Sequence, residues 1–151
     1  MISQNNPVKL FVSHLWEVDE DYLRVFEFLE SSNNFFYQNF SAPDRRPAGG
    51  REAERDELRK QMTPVEAVIL LASQHARDAD LLQFQAHFAK AAEKPIILIS
   101  NFGATTQLAK SLSTLADETV DWDQRALIDA IRRQARHEET QRWDSIDFKM
   151  D

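Results

Sequence analysis

Two short runs limit what this chain can become: Ala67-Val-Ile-Leu-Leu-Ala-Ser73 and Ile96-Ile-Leu-Ile-Ser100 are apolar almost without interruption and are introduced by Thr63-Pro64 and Lys94-Pro95. A strand with one wet face alternates polar and apolar side chains, whereas an unbroken run needs apolar cover on both faces, as a central strand of a parallel sheet has. Lys9-Leu-Phe-Val-Ser-His-Leu-Trp16 begins the same way and then turns polar at Ser13-His14. Parallel neighbours need long crossovers, and helical segments lie between these runs.

Acidic residues from Glu17 to Asp21 open a first helix with Tyr22, Leu23, Phe26 and Leu29 as its apolar positions, and Ser31-Ser-Asn-Asn34 ends it. The aromatic segment Phe35 to Phe40 reads as a second strand, followed by a proline, arginine and glycine loop from Ser41 to Gly50. The charged helix from Arg51 to Gln61 has few apolar residues and is expected to be a solvated surface or a partner face. Further helices are expected over Asp78 to Glu93, over Thr105 to Leu115, and from Asp123 to about Arg142 with Leu127, Ile128 and Ile131 inward. Glu118 to Trp122 gives an edge strand. This alternation predicts one α/β domain over residues 1–151, a doubly wound parallel five-stranded sheet of flavodoxin-like order 2-1-3-4-5 with helices on both faces. Its core is expected over about 8–136, with a C-terminal extension and tail over 137–151.

Composition removes several function classes. A net charge of -7 argues against a nucleic-acid backbone as partner, because such binding needs a clustered basic face. The chain contains no cysteine, hence no thiolate metal site, disulfide or cysteine nucleophile. His75 and His87 lack partners at ligand spacing, so no metal is expected. No segment approaches the ~20 apolar residues of a membrane span, and the start lacks a signal-peptide pattern, so a cytoplasmic protein is expected. With Gly49, Gly50 and Gly103 the only glycines, neither a Walker loop nor a dinucleotide fingerprint can be built.

Several activities share this architecture, so the strand ends must discriminate between them. A phosphoacceptor receiver needs acidic groups after the first and third strands, but Ser13-His14 and Ser73-Gln74 stand there. Ser-His-Leu-Trp-Glu is too bulky and acidic for the phosphate loop of a flavodoxin.

The polar end Ser13-His14 with Trp16, the segment Asn39-Phe-Ser-Ala-Pro43 with its loop, and Lys94-Pro95-Ile-Ile-Leu-Ile99 occur in an order and spacing that resemble the TIR-like domain of the bacterial Thoeris anti-phage systems. The resemblance covers nearly the whole chain in element order, and its specific part runs from about Lys9 to Ser100. It implies NAD bound near the ends of the first and second strands and cleaved between nicotinamide and ribose, yielding an ADP-ribose-derived messenger for a separate effector. It also implies packing of such domains on one another. Ser13, His14, Trp16 and Asn39 would then hold the nucleotide. The loop Asp44-Arg45-Arg46 would cover the pocket, its arginines contacting pyrophosphate.

One position departs from the family. Its Trp-x-x-x-Glu pattern falls on Leu81-Leu-Gln-Phe-Gln85, so Gln85 stands where the family carries a catalytic glutamate. A carboxylate offsets positive charge developing on the ribose, and a glutamine can orient hydroxyls but carries no charge. Asp78, Asp80 and Glu93 are the nearest carboxylates, but the distance to Lys94-Pro95 fits Gln85 without a gap.

Plainer readings stand beside each assignment. Gln85 shares a helix face with Leu81, Phe88 and Ala92 and could satisfy a buried polar position. Ser13 and His14 could cap the first helix, Trp16 could cover the core, and Asp44 to Arg46 could be a solvated turn. Two hypotheses therefore remain: an NAD-processing enzyme using Gln85, or a catalytically impaired TIR-like module that binds a nucleotide or a partner protein.

Overall fold

A computed structural model describes residues 1–100 and 107–138. Five strands, β1 Val8–Val12, β2 Tyr37–Asn39, β3 Ala67–Leu71, β4 Ile96–Ile99 and β5 Glu118–Val120, form an all-parallel sheet in the order β2-β1-β3-β4-β5. The helices are α1 Glu20–Glu30, α2 Gly50–Met62, α3 Ala79–Ala91, α4 Gln107–Leu115 and α5 Gln124–Arg136, with 3-10 turns at Pro43–Arg45 and Ala72–Ala76. This is the flavodoxin-like, doubly wound arrangement expected from the alternation of runs.

The unbroken apolar runs are buried on both sides, as their composition requires. Alternate residues of β1, β3 and β4 meet α1 and α5 on one face, where Val25, Leu29, Leu127 and Ile131 close the core. Phe11, Val68, Leu70 and Leu98 face the other way onto Leu58, Met62, Leu82 and Leu112 of α2, α3 and α4. Each such side chain contributes about 1.5–3 kcal/mol on burial. β1 and β3 lie side by side, with Leu10 opposite Ala67 and Val12 opposite Ile69, so their carboxyl ends meet at the point where the strand order reverses.

Several boundaries differ from expectation, each for a local reason. Asp19 is the N-cap of α1, its carboxylate accepting from the Tyr22 N–H at 2.7 Å, so neither Ser13 nor His14 caps that helix. Leu23 is 50% exposed, because Tyr22, Val25 and Leu29 form the inward stripe. β2 covers only Tyr37–Asn39 of the aromatic segment, and β3 stops at Leu71, where the 3-10 turn begins. α5 ends at Arg136 because His137 takes a left-handed conformation (φ 56°) and the Glu138 N–H turns back to Arg132 O at 3.0 Å. Thr105, Trp143 and the remainder of the expected tail lie outside the described residues.

The larger correction concerns α2. It is not simply a solvated surface, since Glu54, Leu58, Gln61 and Met62 are buried along one stripe. Two of these four are polar, so counting apolar residues hides the helical period. Outside the stripe, Arg55 and Arg59 lie over the Phe84 ring of α3 at 5.5 and 5.1 Å from its centroid.

Candidate functional site

The carboxyl ends of β1 and β3 are where an open α/β sheet takes its ligands. Here Ser13, His14, Gln74 and Gln85 are all fully buried. They are held by three glutamines from three different elements, each pairing with a residue of the strand-end loops.

Gln85, on α3, reaches back to the peptide of His14. Its Oε1 accepts from the His14 N–H at 3.2 Å, and its Nε2 donates to His14 O at 2.8 Å and to Leu81 O at 3.3 Å. The carboxamide thus completes the hydrogen bonding of a chain segment that has left the sheet, as buried backbone groups require. Gln74, in the 3-10 turn after β3, does the same for Ser13. The Ser13 hydroxyl donates to Gln74 Oε1 at 2.7 Å and accepts from the Leu71 N–H at 2.9 Å, while Gln74 Nε2 donates to Ser13 O at 3.0 Å. Gln74 Nε2 also lies 3.2 Å from the Asp19 carboxylate. Burial works to raise the pKa of Asp19, but bonds from the Tyr22 N–H, Arg77 and Gln74 outweigh it and hold this carboxyl below its usual value.

Gln61 of α2 is the third clasp. Its Oε1 accepts from the Ala42 N–H at 2.9 Å and its Nε2 donates to Ala42 O at 3.2 Å, tying down the loop after β2. The same Oε1 lies 3.0 Å from His14 Nε2. Because His14 Nδ1 accepts from the Trp16 N–H at 3.2 Å, the neutral tautomer with hydrogen on Nε2 satisfies both contacts. Burial pushes the pKa of His14 down to about 4, although the bond to Gln61 and the charges of Asp19, Asp44 and Glu57 oppose that shift.

Asn39 belongs to the same edge but faces the first helix. Its Nδ2 donates to the Tyr22 hydroxyl at 3.3 Å, the Tyr22 hydroxyl lies 2.8 Å from Ser41 Oγ, and Ser41 returns to Asn39 Oδ1 through both its hydroxyl and its N–H. Arg46 is turned away onto Glu54 of α2 at 2.8 Å. Asp44 and Arg45 are exposed in the turn.

Trp16 stands apart. It adopts φ 66°, a left-handed conformation that a bulky side chain rarely takes, and its ring meets His14 edge-on at 4.8 Å. Its Nε1 is buried with no hydrogen-bond partner among the described residues.

The structure therefore brings Ser13, His14, Trp16 and Gln85 into one cluster, places Asn39 beside it, and leaves Asp44 and Arg45 at the rim. Sequence reasoning passed over Gln61, and it treated Gln74 only as a missing carboxylate. The signal for Gln61 was its place between Leu58 and Met62 on the buried stripe. No group of three or more acidic or histidine side chains among the described residues is arranged to hold a metal ion. No described helix is long and apolar enough to cross a membrane.

Fold and strand ends together define a flavodoxin-like α/β domain whose reversal point carries buried, mutually hydrogen-bonded glutamine, serine and histidine residues. No protein-family model and no curated protein matches the chain.

Proposed function

We propose that this chain is a TIR-like signalling module that works by binding a partner protein in the cytoplasm and does not turn over NAD. The observation that carries this reading is the use made of Gln85. Both ends of its carboxamide are committed to the His14 peptide, and none of it is exposed. A side chain in that position cannot orient a ribose without abandoning two buried backbone groups, each costing about 1–3 kcal/mol when left unpaired. The Gln74–Ser13 pairing supports the same view, because the polar groups at the ends of the first and third strands are spent on one another.

A second reading, NAD processing to nicotinamide and an ADP-ribose-derived messenger for a separate effector, draws support from Trp16. A strained backbone and an unpartnered indole N–H at a strand end are features of sites that await a ligand.

The test is release of nicotinamide from NAD by the purified protein at high concentration, followed over hours by chromatography that resolves ADP-ribose products. No release, from folded protein, is the expected result. Release that disappears in Gln85→Ala would overturn the proposal and return Gln85 to a catalytic role.

A further inference from the structure

We infer that the loop from His14 to Asp19, between β1 and α1, is a strained strap that Arg77 clasps shut, and that Trp16 swings outward when the clasp is undone. The inference starts from how the loop is held. Its two ends are fixed inside the domain. Ser13 is paired with Gln74 and the His14 peptide with Gln85, while Asp19 caps α1 through the Tyr22 N–H. Between these ends the Trp16 N–H donates to His14 Nδ1 at 3.2 Å.

The crest of the loop is tied down from one short stretch of chain. Ser73, Gln74 and Arg77, in and just after the 3-10 turn that follows β3, reach across the strand ends to Asp21, Asp19 and Glu17. Arg77 spans two of these acids at once, with Nη2 2.9 Å from Glu17 and Nη1 2.7 Å from Asp19. Its own N–H donates to Gln74 O at 3.1 Å, so the guanidinium is carried by a turn that is itself hydrogen-bonded.

The segment under this clasp is not at rest. Trp16 holds φ 66°, which is costly for a bulky side chain, and its indole N–H is buried without a partner among the described residues. Both penalties end when the loop relaxes to an extended backbone and the indole N–H meets water. Against them stands the packing of the half-buried ring on the core and on the His14 imidazole. Opposing terms of similar order leave the ion pairs of Arg77 to decide between the closed and open forms. The strap is a property of this loop alone. It stands or falls apart from NAD turnover, which nicotinamide release measures separately.

The experiment uses the full chain carrying Trp122→Phe and Trp143→Phe, which leaves Trp16 as the sole tryptophan. Arg77→Gln changes a side chain that is 41% exposed and threatens folding little. It should shift the Trp16 emission to the red and raise its quenching by acrylamide about twofold or more. Hydrogen exchange at single amides gives a second readout. The Trp16 N–H should lose protection about tenfold or more, while the Ser13 N–H, bonded to Ile69 O at 2.8 Å, should exchange as in the parent. Emission and quenching equal to the parent's in folded Arg77→Gln would overturn the inference. So would an equal loss of protection at Ser13 and Trp16, because the strand end and not the strap would then be opening.

Discussion

Replacing Gln85 by glutamate changes one atom and should turn stability into a steep function of pH. The carboxamide receives one hydrogen bond from the His14 N–H and gives two, to His14 O at 2.8 Å and Leu81 O at 3.3 Å. An ionised carboxylate keeps the first and sets a negative oxygen against two carbonyls in a place with no solvent exposure. Only the protonated acid keeps a donor, one O–H for the shorter bond to His14 O, so Gln85→Glu should retain its proton when folded and lose it when unfolded. Its folded pKa then lies above the unfolded value of about 4.3, and the stability it lends is intact below that value and lost as pH rises towards the folded pKa. Each pH unit in that interval removes about 1.4 kcal/mol, so the deficit against the parent should start at the one donor bond the acid cannot give and grow by about 3–4 kcal/mol between about pH 4.5 and pH 7. Urea unfolding of parent and variant at matched pH measures this difference, and contributions common to both proteins cancel. A difference that does not change with pH, or a variant as stable as the parent at pH 7, would refute the reasoning, since the carboxylate would then be ionised in contact with solvent or a cation.

Three further outcomes follow from the same edge and its supports. His14 is neutral when folded, its pKa lowered to about 4 from the ordinary 6.5, so its own contribution to stability should be lost as pH falls from about 6.5 to about 4; that loss should reach at most about 3 kcal/mol, and His14→Gln should remove this part of the profile in urea titrations. Gln61→Leu leaves the Ala42 N–H and His14 Nε2–H without their acceptor and should cost about 2–4 kcal/mol, with trypsin cutting faster after the exposed Arg45. Leu58→Ala should cost about 2–5 kcal/mol in the same assay although it sits in the most charged helix of the chain, while Glu52→Ala on the outer side should change stability by less than about 1 kcal/mol.

The sheet was legible because its three central strands are written in branched apolar residues that admit one environment. Ala67 to Leu71 and Ile96 to Ile99 could be ordered before any coordinates, and the crossover rule supplied the handedness. The partial burial of α2 was not legible, because its inner stripe alternates Leu58 and Met62 with Glu54 and Gln61 and scores as a polar helix. The strand-end cluster was half visible. Ser13, His14 and Gln85 were singled out through a resemblance, but what they do with their hydrogen bonds depends on Gln61 and Gln74. Their reach of 47 residues from Gln61 to His14 and 61 from Gln74 to Ser13 leaves no periodic trace in the chain. Glutamine is also a residue whose role is decided by its neighbours, since it can clasp a peptide or bind a ligand with the same four valences.

Arg136, at the last turn of α5, donates to the carbonyls of Asn6 and Pro7 and pairs with Glu66, all at the edge of the sheet where the strands begin. The first strand and the last described helix are thereby fastened together at one pole of the domain. A reporter or an affinity handle joined before Met1, or directly after Glu138 in a chain shortened there, would enter at that pole, away from the strand-end glutamines at the opposite one. Joining Glu138 to Met1 through a short linker, without residues 139–151, and reopening the chain in an exposed loop should accordingly be tolerated.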